Sequence, residues 1–164
     1  MKYVNLIFFF SILTLSTLGQ TRKEYFTNGN LKSIYNYNNG SLEGYQEEYY
    51  ESGKLSVSAF YKNDKLDGIR KDYYENGQIK TISKFINGKG EGDCIDYYES
   101  GTLKLTYQLS NSIPTGEWKE YYENGKLKTL SNWKDGKLNG ELIRYSENGD
   151  QINRCIMKDG IKIQ

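Results

Sequence analysis

Two sets of acidic residues are spaced so regularly that acid–base chemistry is the first possibility to weigh. They are Glu24, Glu48, Asp72, Asp96 and Glu120, and Glu51, Glu75, Glu99, Glu123 and Glu147. Two carboxyl groups flanking a sugar bond are the usual machinery of glycoside hydrolysis. These carboxylates recur at a fixed spacing along the chain, however, whereas one active site needs a single pair. We interpret them as solvated strand ends and weak cross-turn ion pairs, such as Glu51 with Lys54 and Glu123 with Lys126.

Other catalytic and ligand-binding chemistries find no support in the sequence. The chain has no histidine, which removes the commonest general base and metal ligand. It contains no nucleophile elbow, phosphate-binding glycine loop or metal-ligand spacing. We therefore expect no enzyme activity, no cofactor and no metal, and we keep a small glycan hydrolase as the least favoured function.

The acidic columns belong to a repeat that organises nearly the whole chain. Its clearest copy is the stretch YYENGKLK, which starts at Tyr121. The glycine of this stretch recurs with a period of 24, as Gly29, Gly53, Gly77, Gly101, Gly125 and Gly149. A second column with the same period is Gly44, Gly68, Gly92, Gly116 and Gly140. A fixed period of this size is the signature of a repeat architecture.

Each unit is expected to be one β-hairpin, because segments rich in Tyr, Ile, Leu, Thr and Val flank a turn. Asn-Gly tolerates the positive φ angles of a type I′ turn, so we predict a two-residue loop at Asn124-Gly125 and at its counterparts, with the first glycine column as structural turn residues. Pro114 is placed in a loop, where its missing N–H costs no ladder bond. About six hairpins in a row predict an all-β protein with a single-layer, elongated antiparallel sheet.

Two aromatic columns precede the predicted turn. The first is Tyr25, Tyr49, Tyr73, Tyr97, Tyr121 and Tyr145, and the second is Phe26, Tyr50, Tyr74, Tyr98, Tyr122 and Ser146. Neighbours on a strand point to opposite faces, so each face carries one column. A two-residue loop sets Tyr122 opposite Leu127 and Tyr121 opposite Lys128. It predicts that the second column shares the better-packed face with Leu127 and Trp133, and that lysine stems cover the first column.

The aromatic columns have two compatible uses. They are packing material for a thin sheet without a second layer, and they are a binding strip, because Tyr is amphipathic and enriched at interfaces. The candidate partner-binding column is Tyr49, Tyr73, Tyr97, Tyr121 and Tyr145.

The two cysteines, Cys94 and Cys155, occupy different positions in the unit. The strand count puts them five strands apart, about 24 Å at roughly 4.8 Å per strand. A disulfide needs Cα atoms within about 7 Å. We therefore predict two free, buried thiols and no disulfide.

Residues 1–19 lie outside the repeat. Lys2 precedes an uncharged apolar run, Leu6 to Leu18, and small residues surround a cleavage site near Gly19/Gln20, which is the layout of a secretory signal peptide. The run is shorter than the roughly 20 residues of a membrane-spanning helix, and an uncleaved anchor is the alternative. We predict a signal peptide over 1–19 and a repeat domain over 20–164, in the periplasm, in the cell envelope or secreted.

The net charge of the repeat domain indicates which classes of partner it can bind. Without Lys2, the chain has 21 basic and 21 acidic residues. Nucleic acid binding needs clustered positive charge, and docking to an anionic membrane needs a basic patch. We therefore expect a protein partner, with no nucleic acid and no membrane surface.

The unit from Gly116 to Leu127, GEWKEYYENGKL, followed by WKDGKLNG from Trp133 to Gly140, resembles the MORN repeat. It is most similar to the bacterial variant found in proteins classed as YwqK-family antitoxins, and the resemblance covers about residues 22–160. It implies a curved, elongated hairpin sheet and a non-enzymatic binding role. The antitoxin class implies neutralisation of a toxin by direct binding, here a toxin met outside the cytoplasm.

The function that these observations favour is an exported, non-enzymatic protein-binding module, with an antitoxin or immunity-like protein as the specific form. The alternative is a structural spacer or scaffold of the cell envelope, whose length is its function.

Overall fold

The computed structural model describes residues 19–164, so the predicted signal peptide lies outside the described residues except for Gly19. The strands are β1 (Gln20–Tyr25), β2 (Leu31–Asn38), β3 (Ser41–Leu42), β4 (Gly44–Tyr49), β5 (Leu55–Lys62), β6 (Lys65–Tyr73), β7 (Ile79–Ile86), β8 (Lys89–Gly90), β9 (Gly92–Tyr97), β10 (Leu103–Ser110), β11 (Ile113–Tyr121), β12 (Leu127–Lys134), β13 (Lys137–Tyr145), β14 (Gln151–Lys158) and β15 (Ile161–Lys162). Between residues 19 and 164 there is no helix that could cross a membrane.

All 15 strands form one open antiparallel sheet, in which each long strand pairs with the long strands before and after it along the chain. The six units form the hairpins β1–β2, β4–β5, β6–β7, β9–β10, β11–β12 and β13–β14. The short strands β3, β8 and β15 pair with β2, β7 and β14. The predicted all-β fold with six hairpins in a single sheet is therefore confirmed.

The turn after the paired tyrosines differs from the predicted type I′ turn. In the fifth unit, the Tyr122 N–H donates to the Lys126 carbonyl at 2.8 Å, and the Gly125 N–H donates to the Tyr122 carbonyl at 2.9 Å. Gly125 has a φ of 81°, but Asn124 is not among the residues with positive φ. This is the three-residue loop with a glycine bulge. The other first-column glycines also have positive φ, between 85° and 94°.

The longer loop changes the pairing that follows it. The register shifts between Glu120 and Tyr121, and Tyr121 pairs with Leu127. The predicted pairs of Tyr122 with Leu127 and of Tyr121 with Lys128 are therefore wrong. One extra loop residue is enough to cause this, because side chains alternate between the two faces.

Type I′ turns close the opposite ends of the hairpins. Both central residues have positive φ at Asn39-Gly40, Asn63-Asp64, Asn87-Gly88, Asn111-Ser112, Asp135-Gly136 and Asp159-Gly160. Where glycine is replaced, the new side chain accepts a hydrogen bond from the preceding unit. The Leu42 N–H donates to Asp64 Oδ1 at 2.7 Å, and the Gly90 N–H donates to Ser112 Oγ at 2.8 Å.

This bond explains Pro114, which lies in β11 opposite Leu109 rather than in the predicted loop. Pro114 occupies the same position in its unit as Gly90 does one unit earlier and as Leu42 does three units earlier. At those positions the N–H points to the next turn and not into the sheet ladder. The turn beyond Pro114 has Gly136, which offers no side-chain acceptor, so the missing N–H of proline costs no hydrogen bond.

Strand alternation divides the side chains between two faces. Face A carries Gln46, Cys94 and Trp118, and face B carries Tyr45, Ile95 and Lys119. The buried side chains of face A are Ser33, Gln46, Ala59, Ser83, Cys94, Ser131 and Cys155. Small members of this set lie beside large ones, as Ser131 does beside Trp118. The large side chains cover their small neighbours, so a row of small side chains is buried across the sheet although no second layer packs on it.

A glycine substitution in the three-residue loop tests its backbone geometry. No atom lies within 4 Å of the position that a Cβ at Gly125 would take, so only the left-handed φ opposes a side chain. We expect Gly125→Ala to lower the free energy of unfolding by about 1 kcal/mol. Gly125→Asn should cost less, because Asn tolerates this region. Urea unfolding measures both, and equal losses for the two variants would contradict this account of the turn.

Candidate functional site

The second aromatic column joins successive units through its hydroxyl groups. Each tyrosine donates to the backbone carbonyl of the first-column tyrosine one unit ahead. The donor and acceptor pairs are Tyr50 with Tyr73 at 2.5 Å, Tyr74 with Tyr97 at 2.8 Å, Tyr98 with Tyr121 at 2.7 Å and Tyr122 with Tyr145 at 2.9 Å. Every link spans 23 residues, so it depends on an unbroken period.

Lysine side chains cover this same second column. Lys80, Lys104 and Lys128 place Nζ 5.5–5.7 Å from the ring centroids of Tyr74, Tyr98 and Tyr122. Lys128 Nζ also lies 2.6 Å from Glu120 Oε1. Because Glu120 shares face A with Trp118, the second column lies on face A. It is the better-packed face, as predicted, but the prediction that lysines cover the first column is wrong.

Asparagine side chains repeat the same link at the turn. The Nδ2 groups of Asn28, Asn76 and Asn124 donate to the carbonyls of Glu51, Glu99 and Glu147 in the next unit, at 2.8–3.1 Å. Asn124 Oδ1 also accepts from the Lys126 N–H at 3.0 Å. Asn124 thus binds both its own turn and the next unit, but the same loop forms at Ser52-Gly53 and Ser100-Gly101 without an asparagine.

The first aromatic column lies on face B. Tyr49, Tyr73, Tyr97, Tyr121 and Tyr145 end strands β4, β6, β9, β11 and β13, and all are half-buried. The Tyr49 hydroxyl donates to Glu47 Oε2 at 2.6 Å; burial and this carboxylate raise the pKa of Tyr49 to about 12. The hydroxyls of Tyr73, Tyr97, Tyr121 and Tyr145 have no hydrogen-bond partner within residues 19–164. The structure thus places the five candidate residues in one line across face B.

Comparison with known proteins places this repeat. The MORN repeat variant matches residues 21–39, 42–63, 66–87 and 114–135, just over half of the chain. The chain belongs to the MORN repeat variant family. No curated protein matches it.

Several solved structures are similar in part, and one of them is described as "Crystal structure of accessory secretory protein 1,2 and 3 in Streptococcus pneumoniae". The likeness covers 76% of this chain and only 18% of that chain, with 13% sequence identity and a TM-score of 0.23. A likeness at this level supports no inference.

The MORN repeat is a non-catalytic module that is commonly involved in binding. In the first acidic column, which lies on face A, each carboxylate is engaged by a neighbouring side chain. Glu24 pairs with Arg22, Asp72 with Arg70, and Glu120 with Lys128, and Glu48 accepts from the Tyr35 hydroxyl. Burial raises the pKa of Asp96, although Thr81 donates a hydrogen bond to it.

The second acidic column lies at the MORN turns and is exposed to solvent in every unit. The predicted cross-turn pairs of Glu51 with Lys54 and of Glu123 with Lys126 do not form; Lys126 Nζ instead donates to the Asn148 carbonyl at 2.8 Å. Throughout residues 19–164, no three His, Cys, Asp or Glu side chains are grouped so that they could hold a metal ion.

The thiols of the MORN sheet are as predicted. Cys94 on β9 and Cys155 on β14 are free and buried, and the sheet order puts them five strands apart. Burial raises the pKa of the Cys94 thiol, so the thiol stays protonated at neutral pH and is a poor nucleophile.

The interunit hydrogen bonds of the MORN repeats were not predicted from the sequence. One sequence feature does indicate them: the second aromatic column departs from Tyr only at its two ends. Phe26 in the first unit has no hydroxyl to donate, and Ser146 stands in the last unit, which has no following unit to bind. The first column is Tyr in every unit, since its carbonyl accepts the bond and its side chain faces the other side.

Removal of one hydroxyl tests the link between MORN units. We expect Tyr98→Phe to lower the free energy of unfolding by about 1 kcal/mol, because the part-buried bond to the Tyr121 carbonyl is lost. The midpoint of thermal unfolding should fall by roughly 2–4 °C. Tyr97→Phe is the matched control, since its hydroxyl has no partner among the described residues, and its midpoint should not change. Equal shifts for the two variants would refute the assigned role of the second column.

Proposed function

We propose that this MORN protein is an exported, non-enzymatic binding module that contacts a protein partner through face B. The specific form that the sequence resemblance suggests is an antitoxin or immunity-like protein, and the partner is then a toxin met outside the cytoplasm. A structural spacer of the cell envelope is the alternative.

One observation carries the proposal: the fold uses one tyrosine column and leaves the other. On face A, hydroxyls and rings are engaged by the next unit and by lysines. On face B, four of the five hydroxyls have no partner among residues 19–164. A half-buried aromatic ring with a free polar tip is the kind of group that interfaces favour.

The geometry of face B suits a large, flat partner. Successive first-column tyrosines are two strands apart, about 9.6 Å, so the five rings extend over roughly 38 Å. A standard protein interface covers about 800 Å² on each partner, which a strip of this length can supply. A small ligand would need a concave pocket that buries most of its surface, and a single row of rings does not form one.

Export is the second part of the proposal, and it is supported by the signal-peptide layout of residues 1–19. The two thiols are compatible with an oxidising compartment. Cys94 is 0% exposed and Cys155 8% exposed, so oxidants have little access to them.

Site-specific photocrosslinking tests the proposal on the full chain expressed in its own organism. A benzoylphenylalanine replaces Tyr97 on face B or, as the matched control, Lys104 on face A. We expect the Tyr97 position to capture one protein partner that the Lys104 position does not. Tyr73→Ser combined with Tyr97→Ser should weaken binding of that partner at least about tenfold, whereas Lys80→Ser with Lys104→Ser should leave it unchanged.

Two outcomes would overturn the proposal. The first is equal capture from both faces, and the second is no loss of binding in the face B double variant while the far-ultraviolet spectrum stays β-type. If deletion of any one repeat unit impairs the cell equally and neither face captures a partner, the spacer is the better explanation. Release of a captured toxin's activity by the face B variant would support the antitoxin form.

A further inference from the structure

One row of face B breaks the repeat in the second and third units. In this row, the first strands of the six hairpins carry Thr21, Tyr45, Ile69, Asp93, Glu117 and Glu141. The second strands of the hairpins carry Asn36, Phe60, Lys84, Gln108, Asn132 and Ile156. Tyr45, Phe60 and Ile69 are consecutive apolar members of a row that is otherwise mostly polar. Since the equivalent strands form equally well with Asp or Glu, the fold does not require apolar residues there.

These three side chains form one exposed apolar surface. Tyr45 pairs with Phe60 across β4 and β5, and their rings meet edge to face with centroids 5.2 Å apart. Phe60 packs against Gly68 of β6, where a Cβ would lie 3.0 Å from the Phe60 Cβ. Ile69 is the next residue along β6. Tyr45 is 63% exposed and Ile69 is 44% exposed, so burial within the chain does not explain them either.

The same break leaves positive charge without an ion-pair partner in the described sheet. In the fifth unit, Lys119 Nζ lies 2.5 Å from Glu117 Oε1. Lys71 and Ile69 are the equivalents of Lys119 and Glu117 two units earlier, so isoleucine has removed the carboxylate that would neutralise Lys71. Lys84 pairs in register with Ile69. Neither Lys71 nor Lys84 forms an ion pair within residues 19–164.

Two carboxylates border this part of face B, and both are already engaged. Glu47 lies between Tyr45 and Tyr49 along β4 and accepts the Tyr49 hydroxyl at 2.6 Å. Asp93, on the strand beside Lys84, accepts from Gln108 Nε2 at 2.8 Å. The surface is also continuous with the first aromatic column, because Ile69, Lys71 and Tyr73 share one side of β6. It therefore adds an apolar centre and two unpaired cations to the strip of tyrosines.

We propose that Tyr45, Phe60, Ile69, Lys71 and Lys84 form a docking patch for an acidic protein segment. An apolar side chain of that segment packs between Tyr45 and Ile69, and its carboxylates pair with Lys71 and Lys84. This inference rests on the proposed function, and it names the chemistry of the partner and the two units that hold it. An aromatic and aliphatic centre with charges at its rim is the usual composition of an interface hot spot.

An anionic membrane is a poorer match for the patch. Each lysine near a membrane surface contributes about 1 kcal/mol, and only two are unpaired here. Asp93, Glu117 and Glu141 continue the same row across face B, and a negative bilayer lying on this face would approach them too. A narrow protein segment that covers only β4 to β7 avoids Glu117 and Glu141, and Asp93 is held by Gln108.

Titration with synthetic peptides tests the chemistry of the patch directly, whatever the identity of the natural partner. The probe is a peptide in which Glu alternates with Leu and Phe, and its counterpart has Lys in place of every Glu. Calorimetry with residues 20–164 should show the acidic peptide binding at least tenfold more tightly than the basic one. Vesicles of phosphatidylserine and phosphatidylcholine form a separate arm.

A substitution copied from the protein's own repeat keeps the fold intact. Ile69→Glu installs the residue type of the fifth and sixth units and gives Lys71 a partner. We expect it to weaken binding of the acidic peptide at least tenfold, and Lys71→Gln with Lys84→Gln to do the same. Glu117→Gln, at the equivalent position of the fifth unit, is the control and should leave binding unchanged.

The patch is refuted if the acidic peptide does not bind, if both peptides bind equally, if Ile69→Glu binds like the wild type, or if only vesicles bind. A second readout separates this failure from failure of the proposed function. If the crosslinker at Tyr97 captures a partner that Ile69→Glu still binds, the proposed function stands and the patch fails. If neither peptide nor partner binds, both fail.

Discussion

The hydrogen bond from a second-column tyrosine to the carbonyl one unit ahead is the contact on which the structure depends. A sheet without a second layer buries little apolar surface, so its units are held mainly by lateral contacts with their neighbours. Tyrosine hydroxyls and asparagine amides both span 23 residues to make those contacts. An insertion in any unit would move donor and acceptor apart, which is a physical reason for the unbroken period of 24.

The hairpin count and the free thiols could be predicted because both depend only on the 24-residue period and the order of the strands. The turn types could not. Asn-Gly occurs at both ends of the hairpins, and local propensity favours a type I′ turn at each. The three-residue loop forms at Ser52-Gly53 as well as at Asn124-Gly125, so the residue types within the turn do not select it. The position of Pro114 could not be predicted either, since the relevant N–H bonds connect different units.

The candidate site depended on the least predictable feature, the number of residues in one loop. A two-residue loop predicts that the lysines cover Tyr97, whereas the three-residue loop puts them over Tyr98. Lys104 accordingly lies over Tyr98, and the Tyr98 hydroxyl is bound to the next unit. The residue types of both columns were evident from the sequence, but their division between folding and binding was set by register.

Six copies of one unit act as an internal control on what the fold needs. Residues that recur are explained by the fold: bonds between units explain the second-column tyrosines, and positive φ angles explain the turn glycines. Residues that depart from the period need another explanation, and some have a structural one: Asp64 and Ser112 each bind a backbone N–H of the preceding unit. Tyr45 and Ile69 have none, because they are exposed where other units carry carboxylates. A partner that covers them would recover the apolar burial that the sheet itself does not provide.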